Sequence, residues 1–302
     1  MLLKGAFKDS SVFIQLLMFS IVVFIGFLAT TFMSAIFLLM KFGFSPEIYQ
    51  DIQQNLLNYP DLIRNMQFFQ VIFMFIFPAI VCAWLFSDNY KNYLKIDTSV
   101  PASVIPLTIL SVVVAVPFLN FTYIVNQQMV FPEWLSGVEQ WMKEMEEANG
   151  KILEKMLYVH SAWDLVFNIL IVCVLTGIGE EFIFRGVLQN SFGKVLKNPH
   201  AVIWTVAIVF SAIHFQFYGF IPRLLLGAYF GYLVYYTKNL WIPALAHFTN
   251  NCVSVILAYL YQDTPGGTDE IDALGYGSTW WLAVASLAVF LIFFQKIKKT
   301  KN

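Results

Sequence analysis

Residues 163–186 read WDLVFNILIVCVLTGIGEEFIFRG. A helix that crosses a bilayer needs about 20 mostly apolar residues, and the run over 163–184 has that length. It closes on Glu180, Glu181 and Arg185. Ionisable side chains at membrane depth are costly and mark functional positions. The same stretch therefore sets the fold class and raises the question of function.

Outward from it, apolar runs of similar length lie at 12–38, 67–87, 102–125, 201–217, 221–237, 240–261 and 279–295. The expected fold is an all-α, polytopic membrane bundle of about eight transmembrane helices. Composition agrees: of 302 residues, 59% are hydrophobic and only 12% charged, against roughly 25% charged in soluble domains. That deficit excludes a soluble globular domain, and the hydrophobicity excludes disorder. Net charge is −1 with no basic stripe, so nucleic acid is not an expected partner. Cys82, Cys173 and Cys252 are far apart inside apolar runs, a spacing of neither disulfides nor zinc ligands.

Lys4 and Lys8 precede an apolar stretch, Val12–Met40, that is too long for a signal peptide and lacks an obvious cleavage site. It is expected to be a retained first span. Three segments are expected: 1–160 with spans 1–3 and outer loops, 161–262 as the core with spans 4–7, and 263–302 with a loop, the last span and a basic tail. Eight crossings put both termini on one side. With the N-terminus inside, Lys4, Lys8, Lys91, Lys95, Arg185, Lys194, Lys197, Lys238, Lys296, Lys298, Lys299 and Lys301 face the cytoplasm. Lys41, Arg64, Lys143, Lys151, Lys155 and Arg223 face outward. The basic excess predicts cytoplasmic termini in a cell-membrane protein. Between spans 3 and 4, Glu133–Leu157 alternates Trp134, Trp141 and Met145 with glutamates, the pattern of an interfacial or solvated helix.

The informative polar residues are few. Glu181 and Arg185 are an i, i+4 acid-then-base pair, the favourable order on a helix. Glu180 lies about 100° round from Glu181 and has no cation in the local sequence, the disposition of a general acid or base. Gly177 and Gly179 allow a close helix approach or a kink. His214 follows Phe210 by one turn on the fifth run. His247 and Asn251, also one turn apart, share a face of the seventh. Taken singly, each has a bland reading as a core or helix-packing residue. Gly227 and Gly231 form a Gly-x-x-x-Gly, within such a bundle more often an intrachain contact than a dimer interface.

Glu-Glu-x-x-x-Arg, Phe-x-x-x-His and His-x-x-x-Asn, in this order on separate spans, together with the lead-in Asn239-Leu240-Trp241-Ile242-Pro243-Ala244-Leu245-Ala246-His247, resemble the CPBP family. This family, also called Abi, holds the CAAX prenyl proteases of type II and bacteriocin-processing enzymes. The resemblance covers about residues 165–260. It implies an intramembrane endopeptidase in which Glu180 and His214 position and deprotonate water. It implies His247 and Asn251 as donors to the oxyanion, with Glu181, Arg185 and Phe210 in support. The implied substrate is a membrane-embedded or lipidated protein or peptide, in some members a prenylated C-terminus.

Two mechanisms stay open. Glu180, His214 and His247 would make a three-ligand zinc site with an open position, and family members are often labelled metalloproteases. Against zinc, the helical His-Glu-x-x-His pattern is absent, and Asn is a better oxyanion donor than zinc ligand. A metal-free, glutamate-based reaction without cofactor is the expectation. Rival readings are a proton-coupled transporter, which predicts an internal symmetry not visible here, and a non-catalytic immunity or scaffold protein of the same fold. Oligomeric state is not legible.

One geometric difficulty stands. With each span centred at mid-membrane, Glu180 falls about 10 Å toward the cytoplasm and His214 about 9 Å toward the outside, at 1.5 Å per residue. They can meet only if the fourth helix continues through Val187–Ser191, or if Ser191–Pro199 dips into the bilayer.

Overall fold

A computed structural model describes residues 3–300; Lys301, counted above with the cytoplasmic cations, lies outside the described residues. Among the described residues the chain is helical throughout, with no strand. The principal helices are α1 (Val12–Phe42), α2 (Pro60–Phe86), α3 (Val104–Gln127), α4 (Ser136–Leu157), α5 (Ala162–Phe192), α6 (Pro199–Ala212), α7 (Phe220–Thr237), α8 (Trp241–Tyr261) and α9 (Trp280–Lys299). Apart from α4, each stands where an apolar run was read. Five helices, α1, α2, α3, α5 and the one ending in α9, are long and apolar enough to cross a membrane by length and composition. The protein is a polytopic helical membrane bundle.

Local signals set the helix ends. The Ser11 hydroxyl accepts the Ile14 N–H at the start of α1. Ser161 and Asp164 form a reciprocal capping box on α5, satisfying two amides that have no partner within the helix. Asn198 caps α6 and Pro199 opens it, a position where the missing N–H costs nothing.

Two boundaries differ from the sequence reading, and both bear on the site. The fourth span is longer than 163–184: α5 runs on through Phe192. Its midpoint is then residue 177, and Glu180 stands only about 5 Å from it at 1.5 Å per residue. The fifth is shorter than 201–217. With 14 residues α6 reaches about 21 Å, short of a hydrocarbon core of about 30 Å, so its last turn and His214 end inside the bundle. The first of the two routes to a common depth is the one the chain takes.

Inside α5 the ladder widens into π turns at Ile169–Leu175 and Phe182–Leu188, and α2 does so at Val71–Ile76. A π turn leaves carbonyls without their i+4 donors. Side chains take some of them: Thr176 Oγ1 donates to the Ile171 carbonyl at 2.9 Å and Asn251 Nδ2 to that of Val172 at 2.8 Å.

The short α6 packs on α7 through its bare glycines. A Cβ on Gly227 would lie 3.0 Å from the Phe210 ring, and one on Gly231 2.8 Å from Ile203. The Gly-x-x-x-Gly is an intrachain contact, as expected. At Gly177 of α5 a Cβ would stand 3.2 Å from the Phe248 amide nitrogen of α8, so this glycine sets how closely the two helices approach.

Polar contacts tie the helices together at both ends of the bundle. At one, Lys8 meets Asp88, Lys194 donates to the Lys8 carbonyl, Lys95 donates to Asn190, and Lys298 lies over Tyr236. The first described residues and the end of α9 share this face. At the other end Arg64, counted above as a loop cation, is 2% exposed. It holds the Met156 and Tyr158 carbonyls, Asn168, Asp61 and Asp164, clamping α2 to the turn between α4 and α5.

Candidate active site

Three elements meet near mid-bundle. Glu180 comes from the α-helical turn of α5 between its two π segments, His214 from the residues just past α6, and His247 from the second turn of α8. His214 Nε2 lies 3.9 Å and His247 Nε2 3.8 Å from Glu180 Oε2. Glu180 is 8% exposed, and its Oε2 has no hydrogen-bond partner. A buried carboxylate oxygen without a donor, facing two imidazole nitrogens at nearly 4 Å, leaves room for a proton-bearing atom between them.

The partners of the far ring nitrogens fix how each imidazole can act. His214 Nδ1 is 2.7 Å from the Phe210 carbonyl. A carbonyl only accepts, so Nδ1 carries the proton and Nε2 presents a lone pair toward Glu180. His247 Nδ1 is 2.9 Å from Glu181 Oε1. A carboxylate also only accepts, so Nδ1–H donates to it, and Nε2 donates only when the ring is an imidazolium. The two histidines therefore face one carboxylate with opposite capacities: His214 receives a hydrogen bond, and protonated His247 gives one.

Glu181 and Arg185 support this arrangement from within α5. Both side chains are fully buried, with Arg185 Nη1 2.6 Å from Glu181 Oε1. Arg185 Nη2 donates to the Gly227 carbonyl at 2.8 Å. Arg185 was counted with the cytoplasmic cations; it instead lies in the core, because α5 continues past it. Its guanidinium is 4.5 Å from the centre of the Phe210 ring and 5.3 Å from that of Phe230, contacts that offset part of a cation's desolvation. Phe230 also stacks on His247 at 5.1 Å, and Phe210 meets His214 edge-on at 5.1 Å.

Asn251 lies one turn beyond His247, with its Nδ2 on the Val172 carbonyl and its Oδ1 3.3 Å from Asn250 Nδ2. The structure thus brings Glu180, His214 and His247 together, keeps Glu181, Arg185 and Phe210 behind them, and holds the Asn251 amide against α5.

Phe230, stacked on His247, and Arg223, bonded to Gln216 of the loop past His214, were not singled out from the sequence. No sequence signal marks Phe230, one more aromatic in an apolar run. Arg223 does have one: a cation three residues into an apolar helix is expensive there. It was counted as an outer-loop charge, and it belongs to the first turn of α7.

Glu180, His214 and His247 are the residues that would hold a zinc ion here. Around a tetrahedral ion with bonds of about 2.1 Å, ligand atoms lie about 3.4 Å apart, and the separations to Glu180 here are wider. Among the described residues no group of three or more His, Cys, Asp and Glu side chains is placed to hold a metal ion.

The class that the fold defines is a polytopic helical membrane protein, here with a buried carboxylate faced by two imidazoles. Residues 162–253 match the family described as Type II CAAX prenyl endopeptidase Rce1-like, in line with the resemblance its motifs gave. It is also similar to the uncharacterized protein YpbD of Bacillus subtilis (strain 168), 28% identical over 121 residues that cover 39% of this chain and 57% of that protein. The uncharacterized protein YyaK of the same strain is 27% identical over 139 residues, 43% of this chain and 46% of YyaK. The chain spans about half the length of the curated relatives it matches. No solved structure matches it.

Proposed function

We propose that the chain is an intramembrane endopeptidase that hydrolyses a peptide bond of a membrane-associated, apolar or lipidated protein or peptide. The observation that carries the reading is the convergence of Glu180 Oε2 with His214 Nε2 and His247 Nε2 at 3.9 and 3.8 Å.

In this reading a water lies between Glu180 and His214. It donates one hydrogen bond to the His214 lone pair and loses its proton to the Glu180 carboxylate as its oxygen attacks the scissile carbonyl. The tetrahedral oxyanion takes hydrogen bonds from His247 Nε2–H and from the Asn251 amide, once that amide turns from Val172. Glu180 then returns the proton to the leaving amine. Glu181 accepts the His247 Nδ1–H and aims the ring, and Arg185 holds Glu181 in place. The reaction needs no metal and no cofactor.

In a cell membrane the lysine-rich end, with both ends of the chain, faces the cytoplasm. The substrate enters between helices from the lipid phase. No nucleic acid takes part.

The test uses purified protein in detergent with a fluorogenic farnesylated CAAX-type peptide and a panel of short apolar peptides, with and without a zinc chelator. Wild type should cleave at least one peptide, and Glu180→Gln and His214→Ala should each abolish cleavage, with the chelator without effect. Activity retained in Glu180→Gln would overturn the site. Loss on chelation restored by zinc would overturn the metal-free step.

A further inference from the structure

Beyond His214 the chain runs through residues 215–219 before α7 begins, and this loop is held from two helices. Asn126 of α3 donates to the Phe217 carbonyl at 2.7 Å. Glu146 of α4 accepts the Tyr218 N–H at 3.3 Å, and Trp141 packs on Phe217 at 5.2 Å.

Arg223 reaches back over this loop. Its guanidinium donates to the Gln216 carbonyl at 3.3 Å and to Gln216 Oε1 at 2.6 Å. Gly219 leaves the space for it: a Cβ there would lie 3.0 Å from Arg223 Nη2. Both of these acceptors are neutral, and none of the ion pairs among the described residues involves Arg223. Glu146, Glu180 and Tyr123 make up its electrostatic surroundings. Glu146 is engaged by Tyr218, and Glu180 faces the histidines. A guanidinium carries five N–H donors in a planar fork, and a half-buried one with neutral partners is a ready receptor for a carboxylate, which it can grip with two parallel hydrogen bonds. Gln216 is two residues past His214, so the loop that carries the imidazole facing Glu180 also fixes this cation.

We propose that Arg223, aligned by Gln216, is a carboxylate-binding subsite beside the Glu180–His214 pair, which receives an anionic group of the substrate. The inference rests on the peptidase reading only in taking that anion to be part of a peptide. The group is either the free carboxylate at a chain end or an acidic side chain near the cleaved bond. Either would set the distance between the anion and the bond presented to Glu180.

The experiment reads binding, without turnover, in the Glu180→Gln protein purified in detergent. A fluorescein-labelled apolar heptapeptide is offered in three forms: a free acid, a C-terminal amide, and an amide with Asp as its last residue. Fluorescence anisotropy should show the acid or the Asp form binding at least about tenfold tighter than the plain amide, a gap of about 1.4 kcal/mol. The preferred form identifies the source of the carboxylate. Arg223→Gln should remove the preference and leave amide affinity unchanged, which also reports an intact fold; Arg223→Lys should retain part of it. Equal binding of all three forms, no binding of any, or a preference that survives Arg223→Gln would overturn the subsite. An intact preference in a protein whose wild type cleaves nothing would sink the peptidase reading and leave the subsite standing.

Discussion

Replacing Glu181 with Ala separates what the buried ion pair does for the fold from what it does for the site. Its carboxylate joins Arg185 at 2.6 Å and His247 Nδ1 at 2.9 Å, and neither side chain of the Glu181–Arg185 pair is exposed. Removing one member of a buried pair leaves the other as an uncompensated charge, at a cost of about 3–5 kcal/mol. At about 2–4 °C per kcal/mol for a chain of 150–250 residues, the apparent Tm should fall by roughly 10 °C. The double variant Glu181→Leu with Arg185→Met removes both charges. Its methionine lies between the Phe210 and Phe230 rings that now flank the guanidinium. Replacing a whole buried pair by apolar residues of similar volume is close to neutral, so more than half of the lost Tm should return. Turnover should not return, because His247 Nδ1–H still lacks its acceptor; small losses of alignment cost up to about 10²-fold. Thermal unfolding in detergent followed by fluorescence reads the first quantity, and cleavage of the responsive peptide reads the second. A double variant no more stable than Glu181→Ala would refute the reasoning, since the stranded cation would not then be the source of the loss.

Asn251→Ala should lower kcat by about 10²–10³ if its amide serves the oxyanion, with only a few degrees lost in Tm; unchanged kcat would confine Asn251 to holding the Val172 carbonyl. Gly26→Ala should destabilise the bundle more than an ordinary overpacking change of about 1–3 kcal/mol, because a Cβ on Gly26 would stand 1.9 Å from the Phe73 carbonyl oxygen in the π turn of α2. A Gly26→Ala melting curve matching wild type would contradict the α1–α2 contact. Burial, with the Lys238 charge nearby, lowers the Lys95 amine from 10.5 to about 8. The unfolded chain then binds the extra proton between those values, so stability should rise with pH from about 8 to 10.5. Thermal scans across that window should show the rise in wild type and lose it in Lys95→Met.

The fold class was legible because the bilayer imposes a length and a polarity that a linear sequence must display. The six motif residues Glu180, Glu181, Arg185, His214, His247 and Asn251 were legible for the same reason, since each breaks an apolar run. Gly177, Gly227 and Gly231 could be read as close-approach positions, although their partners could not. Their common depth was not legible. It depends on α5 continuing past Arg185 to Phe192 and on α6 stopping at Ala212, and hydropathy placed both boundaries wrongly. A buried ion pair with the carbonyl of Gly227 beside it lets a charged residue sit mid-helix, and composition alone counts such a residue as an end.

By itself, then, the sequence determined that the chain is a helical membrane bundle and which side chains could carry chemistry, because solvation is a property of each segment. Only the tertiary structure decided that Glu180 faces both histidines, that His214 can only accept and that His247 donates when charged. It also decided that Arg223 reaches back to Gln216 in the loop past His214. These facts follow from which helix ends, carbonyls and carboxylates lie next to one another, and contacts between helices distant in the chain leave no periodic trace along it.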